Sequence, residues 1–341
     1  MPQAHMQETG REGVGLERAG SGVRRRVGDW LGEWRGPGIW RRGLVIAVLA
    51  LVLGLLMLLH SSVPNRVGNL GSLTETFLPW LGLLVPVLLV LALLRRSASA
   101  LIAVLLPAVA WINLFGGLLT DKSASGGDFT VVSHNVNAEN PDPAGTARSL
   151  IASGADVIAL EELSDASRYE RALAGSYRYH SVQGTVGLWS KYPLSDARPV
   201  DIRMGWTRAL RATVETPRGP VAVYVAHLPS VRVKFNAGFT AGQRDNSAAA
   251  LGHAIAAEPL KKTILLGDLN GTMNDRSLAP VTSQLRSAQG AAGDGFGFSW
   301  PASFPMARID QIMVRGVDPR SAWTLPETGS DHLPVAARVK L

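Results

Sequence analysis

Thr263-Ile264-Leu265-Leu266-Gly267-Asp268-Leu269-Asn270 is a short apolar run that stops on a carboxylate and an amide. A run of this length, closed by polar residues, has the pattern of a strand buried on both faces. Reading outward, the same arrangement recurs. Ser133-His134-Asn135-Val136-Asn137 follows one apolar run, and Glu161-Glu162 follows another, Asp156-Val157-Ile158-Ala159-Leu160. His227 closes Tyr224-Val225-Ala226, Asp310 interrupts Arg308-Ile309-Asp310-Gln311-Ile312, and Ser330-Asp331-His332 precedes the last apolar run. Polar groups at the ends of packed strands converge on one cleft, where catalytic residues are commonly carried.

Between these segments, β-branched runs alternate with Ala-rich stretches. Strands are expected at 129–134, 157–160, 177–182, 186–189, 210–215, 221–227, 263–266, 309–314 and 335–339, with helices at 143–153 and 244–257. Leu251 and Ile255, four apart, share one face of the second helix. Nine strands with a few helices imply a layered α/β domain.

The first third is different. Residues 43–59, 77–94 and roughly 100–119 are long runs without a charge. Spanning hydrocarbon takes about 20 residues, with about 17 the lower limit, so three transmembrane helices are expected. A cleaved signal peptide fits poorly, because 42 residues precede the first run. Pro86 and Pro107 fall inside the second and third runs, where membrane helices tolerate them. Residues 1–42 carry eight arginines, Arg95-Arg96 separate the second and third runs, and the first connection has only Arg66. Positive-inside bias then puts the tail in the cytoplasm and everything from about Asp121 outside. Trp30, Trp34 and Trp40 are placed to sit at the headgroup level. The resulting division is a basic tail (1–42), three spans (43–119), a polar linker (120–128) and an outer domain (129–341).

The net charge of +7 belongs mostly to the topology signal. Residues 121–341 hold 23 Lys+Arg against 21 Asp+Glu, whereas residues 1–120 hold 11 against 6. An electrostatic footprint for nucleic acid on the outer domain is therefore weak. The absence of cysteine agrees with an exported domain without deciding it.

Carboxylates and amide oxygens without thiolates make a hard-oxygen site suited to Mg²⁺, Mn²⁺ or Ca²⁺. Histidines beside carboxylates supply proton donors and acceptors near neutral pH. Together they point to hydrolysis of a phosphate ester or anhydride by water.

The six segments, in this order, resemble the endonuclease/exonuclease/phosphatase family. The resemblance implies a DNase I-like four-layer α/β sandwich, here following a three-helix transmembrane region, and a Mg²⁺ cofactor with Mn²⁺ as a substitute. It also implies Asn135 and Glu162 as metal ligands, although Glu161 stands where the family has Gln, with Asp331 near the metal. His227 would protonate the leaving oxygen, and Asp268 with Asn270 would handle the attacking water and a phosphate oxygen. Asp310 would orient His332, and either Asp268 or His332 would be the base. Arg208 and Arg211 read as a solvated strand edge, and Phe235 and Phe239 as packing or lipid contacts. A basic tail, membrane spans and an outer phosphoesterase domain also resemble the VanJ-type glycopeptide-resistance proteins of actinobacteria. That likeness implies the lipid bilayer and a lipid-linked pyrophosphate as partners, the substrate being undecaprenyl pyrophosphate. A nuclease or a sphingomyelinase-like phospholipase is the alternative.

Overall fold

The computed structural model describes residues 38–66, 68–234 and 238–341. Trp30, Trp34, Phe235 and most of the basic tail lie outside these residues, as does the side chain of Phe239. The chain divides into two compact units. One holds residues up to Leu58 together with Leu81–Ala110; the other holds Leu59–Trp80 and Trp111–Leu341.

Four apolar helices come first: α1 (Leu44–Leu58), α2 (Leu70–Phe77), α3 (Leu84–Leu94) and α4 (Ala98–Phe115). Val45, Val52, Val87, Leu94 and Leu105 are exposed on α1, α3 and α4, so these three helices are apolar on faces that the protein itself leaves uncovered. The expectation of three spans is corrected here. Two helical stretches, Leu70–Leu94 with 25 residues and Ala98–Leu118 with 21, are long and apolar enough to cross a membrane. The first run yields only the 15-residue α1, because Gly43 precedes it at φ 72° and a 3₁₀ turn at His60–Ser62 follows it. That is short of the about 17 residues a span needs.

The larger unit is a two-sheet sandwich. Its chain order is β1 (Phe129–Asn135), α5 (Pro143–Ala152), β2 (Val157–Glu161), α6 (Ala166–Leu173), β3 (Tyr179–Gln183), β4 (Val186–Ser190), β5 (Leu194–Pro199), β6 (Ala209–Thr216) and β7 (Gly219–Ala226). A small hairpin, β8 (Val233–Lys234) and β9 (Gly238–Phe239), leads to α7 (Gly242–Ala256), β10 (Thr263–Asp268), α8 (Ala279–Thr282), β11 (Arg286–Ser287) and α9 (Ala288–Ala292). The chain ends with β12 (Asp310–Arg315), β13 (Asp318–Thr324) and β14 (Val335–Lys340). One sheet runs β13-β14-β1-β2-β4-β3 and the other β11-β12-β10-β7-β6-β5.

Val131, Val157 and Leu188 of the first sheet meet Leu210, Val223 and Ile264 of the second in a fully buried core. On the outer face of the first sheet, Ala147, Leu150 and Leu173 from α5 and α6 pack on Ile158 and Trp189. On the second, Leu251, Ile255 and Val281 from α7 and α8 cover Tyr224, Leu265 and Met313. The layers are thus helix, sheet, sheet, helix, and both sheets lose their apolar faces to solid packing.

Each sheet has one parallel pair near its middle, β1 with β2 and β7 with β10. All four of these strands end on the polar segments read from the sequence. Antiparallel β12 starts at Asp310, which lies opposite Asp268 at the end of β10. Likewise β14 starts opposite Ser133, which brings the preceding Asp331-His332 to the same end as Asn135.

Arg211 corrects the expectation of a solvated edge. Its side chain is 3 % exposed, and its Nε and Nη2 donate to both carboxylate oxygens of the buried Glu258 at 2.9 Å. The pair clamps β6 to the segment after α7.

Candidate active site

The strand ends surround a cavity of about 500 Å³ lined by Glu162, Asp268, Asn270, Asp331 and His332. Glu162 owes its place to a backbone reversal at the end of β2. Glu161 is the last strand residue and points into the interior, accepting from Ser133 Oγ at 3.0 Å; Glu162 follows at φ 60° and turns toward the cleft. Burial, with the charges of Asp310 and Asp268 nearby, holds the Glu161 carboxyl well above the usual carboxylate range. Glu161 is turned away with its charge disfavoured, and Glu162 is the glutamate that lines the cavity.

Asp268 sits at the centre. Its Oδ2 accepts from Asn135 Nδ2 at 3.1 Å and from Asn270 Nδ2 at 3.1 Å, and its Oδ1 accepts from the Asn270 amide at 2.8 Å. Asn270 is itself tied to the Leu228 carbonyl at 2.9 Å. Burial and the neighbouring Asp310 charge push the Asp268 carboxyl up to about 7. The strand before it is pressed close to β7. At Gly267, φ 148°, a Cβ would lie 1.9 Å from the Ala226 carbonyl oxygen, so only glycine lets β10 approach the strand that carries His227.

His332 has its Nδ1 on Asp310 at 2.9 and 3.1 Å, and its Nε2 lies 3.9 Å from Asp268 Oδ2. Burial opposes its charge, but Asp310 outweighs burial and raises the imidazole to about 10. Asp310 is held below its ordinary value despite burial, because His332 pairs with it and Ser299 Oγ donates at 2.6 Å. Asp268, Asp310 and His332 place ligand atoms within 4.8 Å of one another. An imidazolium is no metal ligand, so this trio suits proton handling better than cation binding.

His227 is the opposite case. Its Nδ1 lies 2.5 Å from Arg208 Nη2, and its Nε2 faces Glu162 Oε1 at 3.5 Å and Asp268 Oδ2 at 3.6 Å. Burial and the Arg208 charge hold it well below the ordinary histidine value. A neutral ring that accepts from Arg208 at Nδ1 carries its proton on Nε2, aimed into the cleft.

Of the residues expected to bind metal, Glu162 and Asp331 line the cavity together, and Asn135 joins it through Asp268. Asp331 also accepts from Asn137 Nδ2 at 3.2 Å. These donors are all oxygens, a set that fits a hard divalent cation. Three features escaped the sequence reading. Arg208 is a partner of His227 rather than a solvated edge, and Ser299 braces Asp310. The third is Thr76 and Phe77, far upstream, which line the same cavity. No local signal marks any of the three, since each acts through tertiary contact alone.

Residues 132–332, more than half of the chain, match the model of the Endonuclease/Exonuclease/phosphatase family. The chain belongs to this family, whose members hydrolyse phosphoester bonds and commonly use divalent metals. No curated protein matches the sequence. Among solved structures, it is similar to Danio rerio TDP2 complexed with single-strand DNA product, with 18 % identity and a TM-score of 0.53 over 62 % of this chain and 99 % of that one. It is similar also to a mannosyl-6-phosphatase from Bacteroides thetaiotaomicron, with 17 % identity and a TM-score of 0.51 over 63 % of this chain and 100 % of that one. Staphylococcus aureus beta toxin gives 14 % identity and a TM-score of 0.51, covering 62 % and 99 %. At these identities the likeness establishes the fold.

Proposed function

We propose that the protein is a metal-dependent phosphoesterase and pyrophosphatase held at the outer face of the membrane. On this reading it hydrolyses undecaprenyl pyrophosphate and so confers resistance to glycopeptides such as teicoplanin. The observation that carries the reading is the single cavity in which Glu162, Asp331, Asp268, Asn270 and His332 meet, on a chain whose apolar helices leave Val52, Val87, Leu94 and Leu105 exposed.

A divalent cation such as Mg²⁺, held by Glu162, Asp331 and Asn135, would neutralise phosphate charge as water attacks. Asp268, held by two amides and titrating near neutrality, takes the proton from that water. His332 stays protonated against Asp310 and donates to a phosphoryl oxygen, stabilising the charge that develops there. His227 offers its Nε2 proton to the leaving oxygen while Arg208 fixes the tautomer. Arg232 lines the same cavity and suits a second phosphate.

Membrane placement draws support from the unit division. Residues 59–80 and 111–341 share one compact unit, and on this reading the chain between them is an excursion into the bilayer. Arg95-Arg96 stand at the turn of that excursion, and positive-inside bias favours the cytoplasm for them.

The test uses the full chain in lipid nanodiscs with Mg²⁺, assayed on undecaprenyl pyrophosphate, duplex DNA and sphingomyelin beside His332→Ala. Phosphate release from the lipid, lost in the variant, is the expected result. Cleavage of DNA or release of phosphocholine, with no phosphate from the lipid, would refute the reading.

A further inference from the structure

The family match begins at residue 132, yet the cavity wall includes Thr76 and Phe77. The connection between α1 and α3 therefore reaches the reaction centre from outside the family domain. It is pinned there at two points.

The first pin is polar. Glu75 is fully buried, its Oε2 accepts from the Arg276 amide at 3.1 Å, and its Oε1 lies 3.2 Å from His60 Nδ1 and 3.5 Å from Arg276 Nη1. Arg276 also donates to the carbonyls of Ser61 and Val63. One turn back, Ser72 Oγ donates to Asp275 Oδ1 at 3.3 Å, and Asp275 pairs with the fully buried Arg244 at 2.7 Å. Buried charges hold a geometry strongly, because loss of one partner leaves the other uncompensated. The second pin is aromatic. Trp80 Nε1 donates to the Met306 carbonyl at 2.7 Å, and the Trp80 ring stacks on Phe298 with centroids 5.7 Å apart.

Phe77 lies between the pins and cannot leave the cleft while both hold. With Val231, Trp300 and Ile309 it supplies the apolar part of a cavity lining that also holds Asp268, Asn270 and His332. Trp300 is 36 % exposed, a large ring left open beside a polar centre. Sugars and nucleosides would put hydroxyls and ring nitrogens against this wall; a hydrocarbon would bury it.

We propose that residues 59–80 complete the substrate cleft, and that Phe77 is a specificity-determining residue gripping the apolar chain carried by the leaving phosphate. The proposal rests on the pyrophosphatase reading above and adds which residues choose the alcohol side of the substrate.

The test is the ratio of kcat/KM for farnesyl pyrophosphate to that for inorganic pyrophosphate, measured on the full chain in nanodiscs. Phe77→Ala lowers this ratio about tenfold or more, chiefly through KM for the prenyl substrate, and Phe77→Leu keeps most of it. Arg276→Met, which releases the polar pin, lowers the same ratio. A ratio within twofold of wild type in Phe77→Ala overturns the proposal, including the case in which both rates fall together through a general structural defect. A wild-type chain that cleaves DNA and neither pyrophosphate overturns the pyrophosphatase reading and the wall with it, so the two failures are told apart.

Discussion

Asp310 does not itself line the cavity, yet it sets the charge of two groups that do. Its carboxylate raises Asp268 by like-charge repulsion and raises His332 by pairing. With Asp268 acting ionised and His332 acting protonated, kcat/KM rises with pH through about 7 and falls again through about 10. Replacing Asp310 by Asn removes the negative charge from both neighbours, so both become more acidic. The rising and falling limbs each move to lower pH, and the peak rate drops because His332 is no longer charged near neutrality. A pH profile of Asp310→Asn at saturating Mg²⁺ checks this; an alkaline limb that stays in place would show that His332 is not the charged donor. Glu161 and Glu162 make the complementary point that two adjacent identical side chains take different fates when one φ changes sign.

At the scale of elements, β6 and the end of α7 are held by Arg211 and Glu258, both nearly without solvent. Glu258→Ala leaves the guanidinium buried with only Asp196 and Thr213 as partners, and should cost about 3 kcal/mol or more. Thermal unfolding of the intact chain, followed by the near-ultraviolet signal of Trp189 and its neighbours, reads that loss, and an unchanged midpoint would contradict it. The same elements show what was legible in the sequence. All nine expected strands appear with ends shifted by a few residues, because uninterrupted apolar runs leave a strand no other buried form. The two-residue strands β8, β9 and β11 were missed, and so were the longer β5 and β13. Leu194-Ser195-Asp196-Ala197-Arg198-Pro199 and Asp318-Pro319-Arg320-Ser321 look like loops, and both strands lie at sheet edges, where polar residues and proline are tolerated. α6 was missed as well; Asp165 caps it by accepting from the Ser167 amide, a local signal overlooked between two strands. The polar strand ends were visible since each interrupts an apolar run, whereas Arg208, Ser299 and Phe77 depend on segments that only the fold brings near.

For the whole molecule, the proposed membrane placement can be read chemically, because the chain has no cysteine of its own. Trp206→Cys, at a site 58 % exposed, should react with a membrane-impermeant maleimide added to intact cells, and Arg95→Cys should react only after the cells are opened. Labelling of position 95 from outside would reverse the assignment. The three-span expectation failed for a physical reason: hydropathy counts residues, while a helix must also be continuous, and α1 is stopped at both ends. The docking of residues 59–80 carries a consequence for synthesis. Glu75 meets an Arg276 amide 201 residues later in the chain, so the early segment is made first and waits for its partner until most of the protein has followed it. The wall at Phe77 is therefore held in place only once Arg276 has been made, so the cleft is among the last features of the fold to close.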